Sequence, residues 1–277
     1  MADDDAGRLF AGGVPAAYQE LLVPLLFEDY ADDLVARAVG RHPSAVLELA
    51  AGTGVVTRRL AAALPAGTTI VATDLNPGMI DVARGTRLER PPGAPEVEWK
   101  VADAQHLPFA DASFDLLVCQ FGVMFFPDRA AAHAEARRVL RPGGAYLLSA
   151  WGPVAANAVA AAVDDAYREV LPDAPPSVIT EVAYGYDDAD RIRRDLAAGG
   201  LTVDAVDAVQ FDSRADSPGS AALAIPRGSP LRAQLESYDP GQRAAIEARA
   251  AALLEERFGP GPLRAPMSAL VATATRP

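Results

Sequence analysis

The stretch AVLELAAGTGVVTRRLAAALPAGTTIVATD, residues 45–74, decides the fold of this chain. Its apolar start at 45–49 predicts a buried strand, and the small residues at 50–54 predict a turn that a ligand can approach closely. Residues 55–64 have helical spacing, and a β-branched run after them predicts a second strand that ends at Asp74. This order is typical of the first βα unit of a doubly wound sheet.

The same unit predicts a nucleoside or nucleotide site. A helix N-terminus facing a small-residue turn offers unpaired N–H groups, and an acid about 20 residues after the glycines can accept hydrogen bonds from a ribose. The dinucleotide fingerprint G-x-G-x-x-G fails, because its third glycine position falls on Thr57. Glu48, just before the turn, would repel a pyrophosphate but suits a cationic amino group.

Several motifs carry a resemblance to a known family. The pattern E-x-A-x-G-x-G at 48–54 resembles the first motif of class I S-adenosylmethionine (SAM)-dependent methyltransferases, with alanine where the family usually has glycine. DLNPGMI at 74–80, VADAQHLPF at 101–109 and RVLRPGG at 138–144 resemble later motifs, in the family's order and spacing. By these motifs, the chain is most similar to the small-molecule methyltransferases that resemble the enzymes of ubiquinone and menaquinone biosynthesis.

The resemblance implies an α/β fold, with a doubly wound, mostly parallel, seven-stranded Rossmann-like sheet and a helical cap. The last strand, expected at 267–275, would be the antiparallel one. Apolar residues at helical spacing flank Pro24, which is expected to break the N-terminal helix. The expected division is a helical segment over the cofactor site (1–44), a Rossmann-like core (45–152, 187–213 and 264–277) and helical cap insertions that bind the substrate (153–186 and 214–263).

The resemblance also implies SAM as the cofactor and S-adenosylhomocysteine (SAH) as its product. Asp74 would accept hydrogen bonds from the ribose hydroxyls, the alternative being a cap for the helix that follows. Asp103 would accept from the adenine amino group, and the Ala104 N–H would donate to the ring. Glu48 would either meet the methionine amino group or brace the glycine turn. The expected cofactor-binding residues are Tyr18, Glu48, Ala50, Ala51, Gly52, Gly54, Asp74, Leu75, Met79, Asp103, Ala104, Gln105 and Gln120.

The acceptor pocket is expected where the fourth strand ends. Gln120 ends that strand, and it either meets the methionine portion or faces solvent. Phe121, Met124 and Phe125 follow it and are expected to form the pocket wall, with core packing as the alternative. Tyr18 lies in a segment that resembles the family's N-terminal cover, and it either contacts the cofactor or packs on the sheet.

The sequence assigns no catalytic base. Methyl transfer from a sulfonium is an in-line displacement that depends on orientation and on exclusion of water, and it requires no metal. His106, in the adenine loop, is the candidate base, although its position favours the cofactor over the methyl group. His42 precedes the first strand, at the wrong end of the sheet, and His133 is expected on the surface of a helix.

Composition limits the partners. The 277 residues are 50% hydrophobic with a net charge of −12, which suits one large domain with a cap and argues against a nucleic-acid substrate. No apolar run approaches 18 residues, so no membrane contact is expected, and the lone Cys119 excludes an internal disulfide. These features favour a cytoplasmic protein, monomeric or homodimeric, that acts on a small molecule.

The sequence therefore predicts a SAM-dependent methyltransferase for a small organic acceptor, such as a specialised metabolite or a quinone-like compound. A first alternative binds SAM without transferring its methyl group, as a binding or cyclase-like protein would. A second is a nicotinamide-dependent oxidoreductase, against which the failed fingerprint and Glu48 argue. Whether an O, N, C or S atom is methylated stays open.

Overall fold

A computed structural model describes residues 13–86 and 92–277. These residues form one seven-stranded sheet in the spatial order β3-β2-β1-β4-β5-β7-β6. Strands β1 to β5 run parallel, and β7 lies antiparallel between β5 and β6. The predicted α/β class and mostly parallel, seven-stranded sheet are confirmed. The strands are β1 (Ala45–Glu48), β2 (Thr69–Asp74), β3 (Val97–Val101), β4 (Phe114–Gln120), β5 (Leu140–Trp151), β6 (Thr202–Ala215) and β7 (Leu263–Thr275).

Helices connect and flank the strands, and every residue of β1 is buried, as expected for a central parallel strand covered on both faces. No helix within the described ranges has the length and apolarity needed to cross a membrane. The helices are α1 (Val14–Ala17), α2 (Glu28–Val39), α3 (Val55–Ala63), α4 (Pro77–Gly85), α5 (Arg129–Val139), α6 (Ala158–Val170), α7 (Ala189–Ala198), α8 (Pro218–Gly228), α9 (Leu231–Leu235) and α10 (Pro240–Phe258).

The N-terminal helical region is continuous, so the expected break at Pro24 is wrong. A π-helical segment, Tyr18–Phe27, joins α1 to α2 and contains Pro24 in its interior. Proline removes one backbone donor and crowds the preceding turn, and the wider π-helical winding accommodates both effects. The first twelve residues of the predicted 1–44 segment lie outside the described part of the chain.

Helices α8, α9 and α10 occupy the connection between β6 and β7. Helix α10 packs against α6 and α8, and α8 packs against the π-helical segment. Gly228, at the end of α8, lies so close to the junction of α1 and this segment that an added Cβ would be 3.1 Å from the carbonyl oxygen of Ala17. The helices after β6 and the N-terminal region are therefore in direct contact.

His133 is fully buried, so the prediction that it lies on the surface is wrong. Helix α5 packs against α7, and Gly199, just after α7, has no room for a Cβ beside His133. Burial, opposed by Asp195 and reinforced by Arg129, lowers the pKa of His133 to about 4. The imidazole is therefore neutral at pH 7.

Candidate cofactor and acceptor site

The turn after β1 adopts the left-handed conformation at three positions: Ala50, Gly52 and Gly54 have φ values of +51°, +56° and +84°. Glycine adopts this conformation freely, whereas alanine loses about 1–2 kcal/mol in it. The alanine that departs from the family pattern therefore occupies a position whose backbone favours glycine. At Gly54 an added Cβ would also lie 2.5 Å from the Trp99 ring.

Asp74 ends β2 beside this turn. Its two carboxylate oxygens accept hydrogen bonds from the backbone N–H groups of Gly52 and Asn76, each at 2.8 Å. Asn76 caps α4 with its own side chain, so Asp74 is not the helix cap. Burial raises the pKa of Asp74, and the two N–H groups oppose this shift. Each oxygen retains a lone pair that a hydroxyl can donate to.

Asp103 lies in the loop after β3. Its Oδ1 accepts from the Gln105 N–H at 2.8 Å, and its Oδ2 lies 3.2 Å from Nδ1 of His106. Burial raises the pKa of Asp103, but the hydrogen bonds from Gln105 and His106 outweigh it and hold the pKa below its usual value. The Gln105 side chain links Asp103 to the N–H of Asp128, at 3.2 and 2.8 Å. The loop therefore presents an ionised carboxylate at neutral pH.

Glu48 is buried beneath the turn and does not line the cleft described below. Its Oε2 accepts a hydrogen bond of 2.5 Å from the Thr57 hydroxyl, and its backbone carbonyl accepts from the Thr73 hydroxyl at 2.8 Å. Of its two expected roles, this geometry fits the brace. Burial, partly opposed by Thr57 and Arg58, raises the pKa of Glu48 from 4.5 to about 8.

We expect Glu48→Gln to remove a pH dependence of stability. Between about pH 4.5 and 8 the folded protein holds the Glu48 proton and the unfolded chain releases it. Stability therefore falls as pH rises through this window, by about 1.4 kcal/mol per pH unit. Glutamine keeps the shape and stays neutral, so the variant should gain stability over wild type as pH rises. Urea denaturation across the window measures this.

His133 has the opposite effect, because its pKa is lowered from 6.5 to about 4. The unfolded chain binds this proton first, so stability rises with pH between about 4 and 6.5. Between about pH 4.5 and 6.5 the effects of Glu48 and His133 on stability oppose each other, so the pH profile of wild-type stability does not isolate Glu48. The difference in stability between wild type and Glu48→Gln isolates it, since both proteins contain His133. A pH-independent difference would contradict the prediction.

Gln120 and Tyr18 face the cleft near the turn. The Gln120 amide donates to the carbonyl of Phe27 at 3.2 Å, while its Oε1 is buried with no hydrogen-bond partner among the described residues. The Tyr18 hydroxyl would lie 3.6 Å from a Cβ added to Gly52, so its ring covers the turn. Burial, together with Asp74, raises the pKa of Tyr18 above its ordinary value, so the phenol is protonated.

An aromatic wall continues from Gln120. Phe121 has a left-handed φ of +51° and stacks on Trp151, with centroids 3.8 Å apart and ring planes 10° apart. Trp151 also stacks on Tyr184, at 5.4 Å and 21°. The cleft that these groups line contains about 1340 Å³ of empty space, part of it open to solvent.

One cleft brings together most residues that the sequence predicts for the site. Within the described ranges, no group of three or more His, Cys, Asp or Glu side chains could hold a metal ion. The predicted residues that line the cleft are Tyr18, Ala50, Gly52, Asp74, Leu75, Met79, Asp103, Ala104, Gln105, Gln120, Phe121 and Phe125.

Five predicted residues do not line it: Glu48, Ala51, Gly54, Met124 and His106. Met124 packs in the core, and the His106 side chain is 81% exposed beside Asp103. Sequence reasoning does not name several wall residues, including Trp151 and Ile179, although it expects residues 153–186 to belong to the substrate-binding cap. Position could have revealed Trp151, since it ends β5 at the same sheet edge as Gln120. Residues 178–184 carry no comparable signal.

Comparison with known sequences gives the same family. The family model "Methyltransferase domain" matches residues 47–148. An uncharacterised protein of Mycobacterium tuberculosis is 33% identical over 166 residues, covering 58% of this chain and 55% of that protein. The demethylmenaquinone methyltransferase of Deinococcus radiodurans is 36% identical over 139 residues, covering 50% and 55%. The chain thus spans about half the length of the curated relatives it matches.

Solved structures share the fold. A phosphoethanolamine N-methyltransferase of Haemonchus contortus, in complex with phosphomonomethylethanolamine and SAH, has a TM-score of 0.59 and 14% identity, covering 100% of this chain and 61% of that one. The [4+2]-cyclase SpnF has a TM-score of 0.54 and 19% identity, covering 90% and 80%. At these identities the likeness concerns the fold alone.

The sheet order, the turn after β1 and the matched domain agree with the motifs in the sequence. Together with the relatives, they support a class I SAM-dependent methyltransferase domain at residues 47–148, similar to the small-molecule methyltransferases of the quinone-biosynthesis type.

Proposed function

We propose that this chain transfers a methyl group from SAM to a small organic acceptor. One observation carries the proposal: the carboxylates of Asp74, at the end of β2, and Asp103, just after β3, line the same cleft as the left-handed turn after β1. In a doubly wound sheet, ligands bind at the carboxyl ends of the strands. Two acids held by backbone donors beside a side-chain-poor turn suit an adenosine better than a phosphate-bearing nucleotide.

We assign each part of SAM to different residues of the cleft. Asp74 would accept from the ribose hydroxyls, and Asp103 from the adenine amino group. Glu48 does not reach the cleft, so the methionine ammonium requires another acceptor. The Gln120 Oε1 is buried, lines the cleft and lacks a partner among the described residues, and an ammonium would satisfy it. The Tyr18 ring, which covers the turn, would contact the sulfonium through a cation–π interaction.

The chain's contribution to methyl transfer is orientation and exclusion of water. When bound, SAM would supply an electrophilic methyl group and leave as SAH, and the cleft would hold the acceptor's nucleophilic atom in line with that group. Besides the two assigned acids, the titratable side chains that line the cleft are Tyr18 and Tyr184, counted over residues 13–86 and 92–277. Burial raises the pKa of both phenols, so neither is a ready base. The acceptor therefore attacks through a free lone pair, and any proton it releases passes to solvent at the open mouth of the cleft, away from the reacting atoms.

Calorimetry with SAH tests the cofactor site, and transfer of radiolabelled methyl from SAM to candidate acceptors tests the reaction. We expect SAH to bind with a dissociation constant in the micromolar range, about −8 kcal/mol. Failure of both SAM and SAH to bind at millimolar concentration would contradict the proposal.

A second candidate function keeps the cofactor and omits the transfer. Two observations favour it: the part of the cleft lining that the structure describes contains no ready base, and the fold resembles that of a [4+2]-cyclase. Such a protein would use SAM as part of the wall of a reaction chamber. SAH binding without labelled methyl reaching any acceptor would support it over methyl transfer.

A further inference from the structure

The acceptor end of the cleft, beyond Gln120, is built from uncharged side chains. They come from the π-helical segment, the 3₁₀ turn at Val123–Phe125, residues 178–184 and α8. Its wall includes Leu22, Leu26, Phe125, Ile179, Ala183 and Ile225. Most of these positions lie outside residues 47–148, the range that the family model matches.

No cation faces the cleft among the described residues that line it. The lining contains no Lys, Arg or His, and its two carboxylates, Asp74 and Asp103, are committed to the nucleoside end. A carboxylate or phosphate group on the acceptor would lose its hydrating water without gaining a cationic partner from the lining. Burying an unpaired ion is far more costly than burying a neutral polar group. The lining therefore selects against anionic acceptors.

The aromatic wall adds a preference for acceptors that are flat rings. Phe121, Trp151 and Tyr184 form one column of stacked rings, and all three line the cleft. Phe121 holds this place with φ +51°, a conformation that is costly for a bulky residue and that packing must maintain. All three rings are buried and Trp151 stacks on both of the others, so the column presents ring edges to the cleft, and such edges pack well against the face of another flat ring. The Tyr184 and Ser229 hydroxyls are neutral polar groups in the same lining.

We propose that the methyl acceptor is an uncharged, flat aromatic compound that lies against the column Phe121–Trp151–Tyr184. The inference rests on the proposed function, because it assigns the far end of the cleft to the molecule that receives the methyl group. Compounds of the same size that carry a carboxylate or phosphate should be rejected.

Fluorescence of Trp151 provides the test. The chain has two tryptophans, so Trp99→Phe leaves Trp151 as the sole reporter. The SAH-saturated variant is titrated with 1-naphthol and with 1-naphthoate at about pH 7, where the first is neutral and the second ionised. We expect 1-naphthol to quench Trp151 with a dissociation constant at least about tenfold lower than that of 1-naphthoate. Equal affinity, stronger binding of 1-naphthoate, or no quenching by either compound would overturn the inference.

A variant with an added positive charge tests whether the missing cation causes the preference for a neutral compound. Val178 is half-buried in the wall, and Val178→Lys introduces the missing cation, with Val178→Met as a neutral control of similar length. The preference for 1-naphthol should shrink or reverse in the lysine variant and persist in the methionine variant. A preference that stays the same in both would overturn the role assigned to charge.

Calorimetry with SAH on each protein separates the two proposals. If the parent chain does not bind SAH, the proposed function fails. If SAH binds and 1-naphthoate is preferred, the inference about the acceptor alone fails.

Discussion

Asp74→Asn is expected to lower the affinity for SAH by about 10- to 100-fold, the loss that corresponds to charge-assisted hydrogen bonds of about 1.5–3 kcal/mol. The carboxylate now accepts from the N–H groups of Gly52 and Asn76 and keeps lone pairs for two ribose hydroxyls. The amide has one acceptor oxygen, so its NH₂ group must face either a backbone donor or the ribose. The variant therefore weakens the ligand contact and the turn that supports it.

Isothermal titration calorimetry with SAH measures the effect, and Asp188→Asn is the matched control. Asp188 also accepts from two backbone N–H groups, at the start of α7, but it does not line the cleft. The control should bind SAH as wild type does. A folded Asp74→Asn variant whose affinity stays within twofold of wild type would remove the ribose assignment.

Gly122→Ala is expected to destabilise the fold by about 1–3 kcal/mol, the usual cost of overpacking. A Cβ at position 122 would approach the Ala50 Cβ more closely than real Cβ atoms do, and would lie 3.0 Å from Sγ of Cys119. The backbone at Gly122 itself accepts any residue, since its φ is −102°. The destabilisation is therefore steric, and it arises chiefly at Ala50, the departure from the family's glycine.

A double-mutant cycle tests this pairing. Ala50→Gly removes the blocking Cβ and relieves the left-handed alanine, while it raises the entropy of the unfolded chain, so alone it should be close to neutral. Combined with Gly122→Ala it should restore most of the lost stability, with a coupling of about 1 kcal/mol or more. Gly85→Ala, which has open space around it, should be nearly neutral. Additive effects of Ala50→Gly and Gly122→Ala in urea denaturation would contradict the pairing.

The sequence predicts the sheet and the nucleoside end of the cleft because both depend on local signals. Parallel strands bring their carboxyl ends to one edge, so residues at or just beyond strand ends, such as Asp74, Asp103 and Gln120, lie close together wherever the helices pack. The predicted helix break at Pro24 and the predicted surface position of His133 are wrong for a related reason. The environment of Pro24 depends on the π-helical winding of the whole segment Tyr18–Phe27. The burial of His133 depends on Gly199, 66 positions later in the chain, and no local sequence pattern indicates either one.

By itself, the sequence determined the class of the fold, the resemblance to a methyltransferase domain and the residues proposed to bind the adenosine, since each depends on short motifs at strand ends. Only the tertiary structure decided that Glu48 lies beneath the turn, and that Phe121, Trp151 and Tyr184 form one column. The physical reason is distance along the chain. These rings come from three separate segments, and their contact exists only once β4, β5 and residues 178–184 have packed together.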